Sequence, residues 1–244
     1  MKDLHALLVV VLISAFVAGI SGCSLVAKLR GPKPDTAREL FRAGTAAMQE
    51  EDYAEAVEHF TAIKERYPFS EYTTKAELKL ADAYFQDERL ESAEQAYKEF
   101  ETLHPGSKEI PYVLFQIGLC NYKQFRSIDL PMRNLGEALQ YFNRLEQSYP
   151  ESPLVTKARE YRTRTRRLMA KHELFVADFY LRRGDYQAAW KRYRYVQERY
   201  PDLQAISKYA RSQGRLAYFK YQEAQAERER AAQEGDWKQW FRWL

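Results

Sequence analysis

Two residue types in this chain have side chains suited to nucleophilic or metal chemistry, and both are scarce: 2 cysteines and 4 histidines among 244 residues. The histidines (His5, His59, His104, His172) are scattered, and none falls in an HExxH or other metal-ligand spacing. There is no GxSxG elbow, phosphate-binding loop or GxGxxG. Cys120 lies in an apolar stretch and reads as a small packed hydrophobe. Cys23 differs, because Ser21 and Gly22 precede it. Small residues there let the chain enter a narrow peptidase cleft, and the thiol sulfur is the nucleophile that can take up a thioether. Modifying Cys23 leaves Cys120 without a partner, so no disulfide framework is expected. Nothing else in the chain reads as catalytic, and no enzyme is expected.

The segment before Cys23 fits that role. "ALLVVVLISAFVAGI" (6–20) is an apolar run of signal-peptide length, short of the roughly 20 residues of a spanning helix. Together with "ISGC" it resembles the lipobox of bacterial lipoproteins. That resemblance implies a signal peptide over 1–22, a diacylglycerol on Cys23 and a lipidated linker over 23–34. Beyond the covalent lipid on Cys23, no cofactor or metal is expected. The net charge of +4 comes from 38 basic and 34 acidic residues. That is a mixed polar surface, not one for nucleic acid.

The rest of the chain carries an echo. "ERYPFS" (65–70), "TLHPGS" (102–107), "QSYPES" (147–152) and "ERYPDL" (198–203) each place an aromatic ring before proline. Seven residues before each ring stands another, Phe60, Tyr97, Phe142 and Tyr193; four before that stands Ala56, Ala93, Ala138 or Ala189. Three residues before the alanines are Tyr53, Leu90, Leu135 and Tyr186. Offsets of three, four and seven put all of them on one helical face. Gly44, Ala81 and Ala177 lie twelve residues before their alanines, as small residues where two helices cross closely. The order resembles the tetratricopeptide repeat. The expected fold is all-α: a right-handed α-solenoid of about five helical hairpins.

Departures from this ruler locate special elements. Gly118 to Ala138 is eight residues too long, which places a loop in "QFRSIDLPMRN" (124–134). Pro150 to Ala177 is 14 too long, about four α-turns, which predicts one overlong helix over 154–183 bridging two halves. A degenerate fifth repeat around Gly214 and Ala226 reads as a capping helix from about 205. It leads to the aromatic tail "DWKQWFRWL" (236–244), suited to docking on a partner, on a membrane interface or back on this protein. A basic stripe runs from Arg159 to Lys171 on the overlong helix, either a solvated face or a surface for an acidic partner.

Beyond the repeats, "RYPFSEY" (66–72), "LHPGSKEIPY" (103–112) and "FYLRRGDYQAAWKRYRYVQERYP" (179–201) resemble the BamD (ComL-type) family, periplasmic lipoproteins of outer-membrane β-barrel assembly. Phe69, Ser70 and Tyr72 have no role in the repeat ruler. The resemblance implies a lipid-anchored scaffold on the periplasmic face of a Gram-negative outer membrane. It implies N-terminal repeats (35–134) that receive C-terminal signals of unfolded barrel proteins. C-terminal repeats (135–203) would bind the barrel insertase, followed by a cap over 204–244, with other assembly lipoproteins as partners. Arg192 matches a family arginine that pairs with an acidic residue of the insertase. Phe41, Thr45, Met48, Phe69, Tyr72, Leu78, Asp82, Phe85, Tyr112, Phe115 and Tyr122 are the candidate groove for a client peptide. The alternative is another periplasmic repeat lipoprotein, in pilus biogenesis or peptidoglycan-enzyme organisation, against which stand "RYPFSEY" and the overlong helix.

Overall fold

A computed structural model describes residues 35–240, with side chains through Gln233. The signal peptide, Cys23, the linker through 34 and the tail 236–244 fall outside the described residues or side chains. Nine helices make up the described part, with no strand: α1 Ala37–Gln49, α2 Tyr53–Arg66, α3 Thr73–Gln86, α4 Leu90–Leu103 and α5 Ile110–Gln124. After them come α6 Arg133–Ser148, α7 Val155–Arg183, α8 Tyr186–Arg199 and α9 Gln204–Trp240. Two compact units divide between Ala76 and Glu77, inside α3.

The repeat positions are the core. Ala56, Ala93, Ala138 and Ala189 are wholly buried, as are the rings Phe60, Tyr97, Phe142 and Tyr193. Burying one such ring stabilises by roughly 2–3 kcal/mol. In two hairpins the ring lies directly on a glycine. A Cβ on Gly44 would come within 2.8 Å of Phe60 Cε1, and one on Gly118 within 2.6 Å of Phe142 Cε1. The other two hairpins use alanine followed by aspartate, Ala81-Asp82 and Ala177-Asp178, and their rings are tyrosines. Tyr97 Oη donates to Asp82 Oδ1 at 2.8 Å, and Tyr193 Oη donates to Asp178. The chain therefore holds two hairpin types, glycine under phenylalanine and alanine-aspartate beside tyrosine.

The ring before each proline ends a helix in one repeated geometry. Tyr67, His104, Tyr149 and Tyr200 are the C-caps of α2, α4, α6 and α8, with φ between −137° and −128° and ψ between 49° and 58°. Proline bars the preceding residue from the α region, so the helix stops there. The cap N–H still bonds back to the carbonyls of Ile63, Phe100, Leu145 and Val196, four residues earlier. Those four side chains are buried too.

Ser70, thought outside the ruler, belongs to it. The N–H groups of Ser70, Ser107 and Ser152 bond to the cap carbonyls of Tyr67, His104 and Tyr149. Their hydroxyls accept from the N–H two residues on, at 3.2, 3.2 and 3.3 Å. The next helix then begins six residues after the ring, at Thr73, Ile110 and Val155. The fourth echo has Leu203 in place of serine, and α9 begins only four residues after Tyr200.

The departures fall where the ruler places them. Residues 125–132 form the loop between α5 and α6. Helix α7 runs 29 residues and serves two cores. Ala158 packs with Phe115 and Phe142, while Ala170 and Ala177 pack with Tyr193 and Val196. Helix α9 is one continuous cap of 37 residues. The acidic turn Glu50-Glu51-Asp52 is structural: Asp52 caps α2 by accepting from Glu55 N at 3.0 Å.

Candidate functional site

In the first unit, Phe41 of α1 is partly buried, with its ring centroid 5.9 Å from Phe60 and 5.4 Å from Tyr72. Thr45 spends its hydroxyl on the Phe41 carbonyl at 2.7 Å, so it offers a methyl more than a donor. Met48 is half-buried beside them. Phe69, immediately after Pro68, is 100% exposed. A phenylalanine with no burial adds nothing to this unit's core and leaves its whole ring for a ligand.

In the second unit the candidates divide by what they touch. Leu78, Phe85 and Tyr122 are partly buried on the flank of the core. Lys123 Nζ sits 5.0 Å over the Phe85 ring, and Tyr122 meets Tyr161 edge-on at 5.2 Å. Phe115 is a core side chain, not a groove wall: it is 4% exposed and packed between Phe142 and Tyr161. Asp82 and Tyr112 are likewise engaged. Asp82 Oδ1 accepts from Tyr97 at 2.8 Å and Tyr112 at 2.7 Å, while Oδ2 pairs with Lys79 at 3.0 Å. Gln116 Nε2 donates to Tyr112 Oη at 2.8 Å. This knot ties three helices; a client peptide would have to break it to use the aspartate. His104 is more than packing, since its Nε2 lies 2.5 Å from Glu77 Oε2.

Burial holds these phenols in their neutral form. It pushes Tyr97, Tyr112 and Tyr193 well above the ordinary tyrosine range, with the neighbouring aspartates adding to the shift. Burial pushes Tyr200 up to about 12, and the Cys120 thiol also up to about 12. The unfolded chain ionises its tyrosines near pH 10, so above that it binds fewer protons than the folded chain. Stability is therefore full below about pH 10 and falls as pH rises further. Tyrosinate absorbance and helical circular dichroism, followed from pH 9 to 12, are expected to change together.

Arg192 of α8 lies against α7, where its Nη1 bonds Glu173 Oε2 at 2.7 Å. The glutamate side chain is 7% exposed and the arginine 46%. The carboxylate thus anchors one edge of the guanidinium, and the remaining donors face solvent in a fixed fork. Replacing Arg192 with alanine is expected to cost about 1–2 kcal/mol, because Glu173 is left buried without its partner. Adding Glu173→Gln should restore much of that stability in a melting experiment, without restoring any contact that Arg192 itself makes to a partner.

The basic stripe of α7 is largely spoken for. Arg159 and Arg162 both pair with Glu146, Arg164 with Glu160, and Arg166 makes two bonds to Asp202 at 2.7 and 3.0 Å. The pairs to Glu146 and Asp202 brace α7 against α6 and the α8–α9 turn, while Arg164–Glu160 lies within α7, which favours the structural reading of the stripe.

Residues 33–233 match the sequence pattern of the YfiO family, described as outer membrane lipoprotein. The chain belongs to that family. It is 29% identical over 180 residues to the outer membrane protein assembly factor BamD of Vibrio cholerae, covering 70% of this chain and 75% of that protein. It is 30% identical over 179 residues to BamD of Pasteurella multocida, covering 69% and 68%. Against BamD of Xylella fastidiosa the identity is 28% over 204 residues, covering 80% and 69%.

Three features of this YfiO chain escaped the sequence reading. The buried apolar residue four before each ring, Ile63, Phe100, Leu145 or Val196, was legible as a further register of the same period. The repeated serine was legible as an echo three residues after the ring. Glu173 carried no local signal, because it meets Arg192 only when α7 and α8 pack.

Proposed function

We propose that this chain is a non-enzymatic scaffold of outer-membrane β-barrel assembly, tethered at the periplasmic face by a lipid on Cys23. The observation that carries the reading is the family match across 33–233, with relatives that are themselves assembly factors. Helical hairpins supply extended faces along which a partner chain can lie. The C-terminal repeats bind the barrel insertase, with the solvent-facing donors of Arg192 taking a partner carboxylate. The N-terminal hairpins take the aromatic-ended signals of unfolded barrel proteins. Phe41, Met48, Phe69 and Tyr72 serve in the first unit, and Leu78, Phe85 and Tyr122 in the second.

Depletion of the chain should empty the outer membrane of barrel proteins, and mild detergent extraction should recover the insertase with it. Retention of barrel proteins after depletion would sink the reading. Phe69→Ser separates client contact from folding. It should shift stability by less than about 0.5 kcal/mol, because the ring is already in water, yet reduce crosslinking to unfolded barrel proteins. Unchanged crosslinking would remove Phe69 from the client surface.

A further inference from the structure

The seam between α8 and α9 contains a slot of about 450 Å³ that the scaffold reading leaves unused. Trp190 and Arg194 of α8 face Arg211, Arg215, Tyr218 and Phe219 of α9 across it. Spacings of four on α8 and of four, three and one on α9 put each set on one side of its helix. The floor is low because Gly214 sits there: a Cβ at Gly214 would lie 3.1 Å from Tyr193 Cβ. Gln197 Nε2 fastens that floor, donating to the carbonyls of Tyr193 and Ala210 at 3.3 and 3.4 Å.

Much of the charge in the slot is uncompensated. Its described lining holds three arginines and no carboxylate. Arg194 stacks 5.4 Å over Trp190 and pairs with exposed Glu198 at 3.3 Å. Arg211 and Arg215 are exposed, one helical turn apart, and make no ion pair among the described residues. Like charges at that spacing repel, and an anion between them relieves the repulsion. Trp190 lies 5.1 Å from Tyr218 and nearly parallel to Tyr221 at 6.2 Å. Phe219, also lining the slot, is 69% exposed.

We propose that this slot binds an acidic peptide segment of a partner protein. Its carboxylates lie on the forks of Arg211 and Arg215, and a neighbouring aromatic or aliphatic side chain lies against Trp190, Tyr218 and Phe219. Arginine forks match carboxylates two bonds at a time, and the rings give an apolar side chain a place beside them. A concave, ring-lined slot suits a narrow chain better than a flat membrane surface does. The chain's own outlying segments have the wrong sign. The linker carries Lys28, Arg30 and Lys33 without an acid, and the tail sets Lys238 and Arg242 against Asp236. The slot is separate from Arg192, which bonds Glu173 on α7. The proposal draws on the scaffold reading only in taking the occupant to be a protein.

The test uses the full chain in detergent micelles and a fluorescent peptide in which glutamates flank one phenylalanine, followed by anisotropy. Saturable binding is expected, weakening as salt rises. The double variant Arg211→Glu/Arg215→Glu should weaken it about tenfold or more, and Trp190→Ala and Phe219→Ser should each weaken it measurably. Loss of the lipid should leave it unchanged. Four results overturn the proposal: no saturable binding, equal binding of the glutamine analogue, indifference to the double variant, or capture of phosphatidylglycerol vesicles in place of the peptide. Because the substituted arginines and Phe219 are exposed, unaltered circular dichroism should accompany these losses. Peptide binding that persists while depletion spares barrel proteins would remove the scaffold reading and leave the slot standing.

Discussion

Gly118→Val is expected to destabilise the protein by about 3 kcal/mol or more, among the largest effects of any single substitution. A Cβ at residue 118 would come 2.6 Å from Cε1 and 2.9 Å from Cδ1 of Phe142. Phe142 is wholly buried between Phe115 and Tyr161, so its ring has nowhere to retreat. The branched side chain adds two more carbons at the crossing of α5 and α6. Gly118→Ala should cost less, since alanine recovers about 1 kcal/mol of helix propensity against the clash. Pairing Gly118→Ala with Phe142→Leu should recover stability lost by either alone, because the smaller side chain vacates the space the new methyl needs. Chemical denaturation of the four proteins measures that coupling. Additive losses would show that the ring and the glycine are not the contact that sets the crossing.

Asp82→Ala is expected to cost about 3 kcal/mol, or about 6–12 °C in melting temperature. The substitution takes its carboxylate acceptor from the buried Tyr97 hydroxyl, which keeps only the Tyr112 hydroxyl beside it, and takes one partner from Tyr112, which keeps Gln116. Loss of the exposed Lys79 pair adds little. Asp82→Asn keeps an acceptor oxygen and should cost less. Asp178→Ala offers a comparison, because one of its two tyrosines, Tyr209, is 43% exposed and can turn to water. Scanning calorimetry should rank Asp82→Ala, Asp178→Ala and Asp82→Asn in falling order of damage. If Asp82→Ala instead left stability intact while abolishing client capture, Asp82 would return to the client surface.

How far the sequence reached follows from the range of each interaction. Ring, alanine and proline recur at fixed offsets because each hairpin packs with the same local period. The burial of Phe60, Tyr97, Phe142 and Tyr193, the loop over 125–132 and the 29-residue α7 were therefore all legible as spacing. The family was legible for a related reason, since "RYPFSEY" combines a turn the repeat requires with Phe69, which it does not. Asp82 and Phe115 resisted. Their positions near small residues fit a groove as well as a core, and only packing turned one, against α4 and α5, into a knot of hydrogen bonds and the other, against α6 and α7, into core.

The sequence by itself determined a chain of helical hairpins, the ruler that ends each one, and the places where the ruler is broken. Those are matters of local period and of proline's fixed geometry. Only the tertiary structure decided which polar groups remain available to a partner. Glu173 lies 19 residues from Arg192 and Glu146 lies 13 and 16 from Arg159 and Arg162, while Arg211 and Arg215 find no carboxylate among the described residues. An ion pair forms where packed helices bring charges within reach. The same arginine therefore reads alike in sequence whether the fold has neutralised it or left it open.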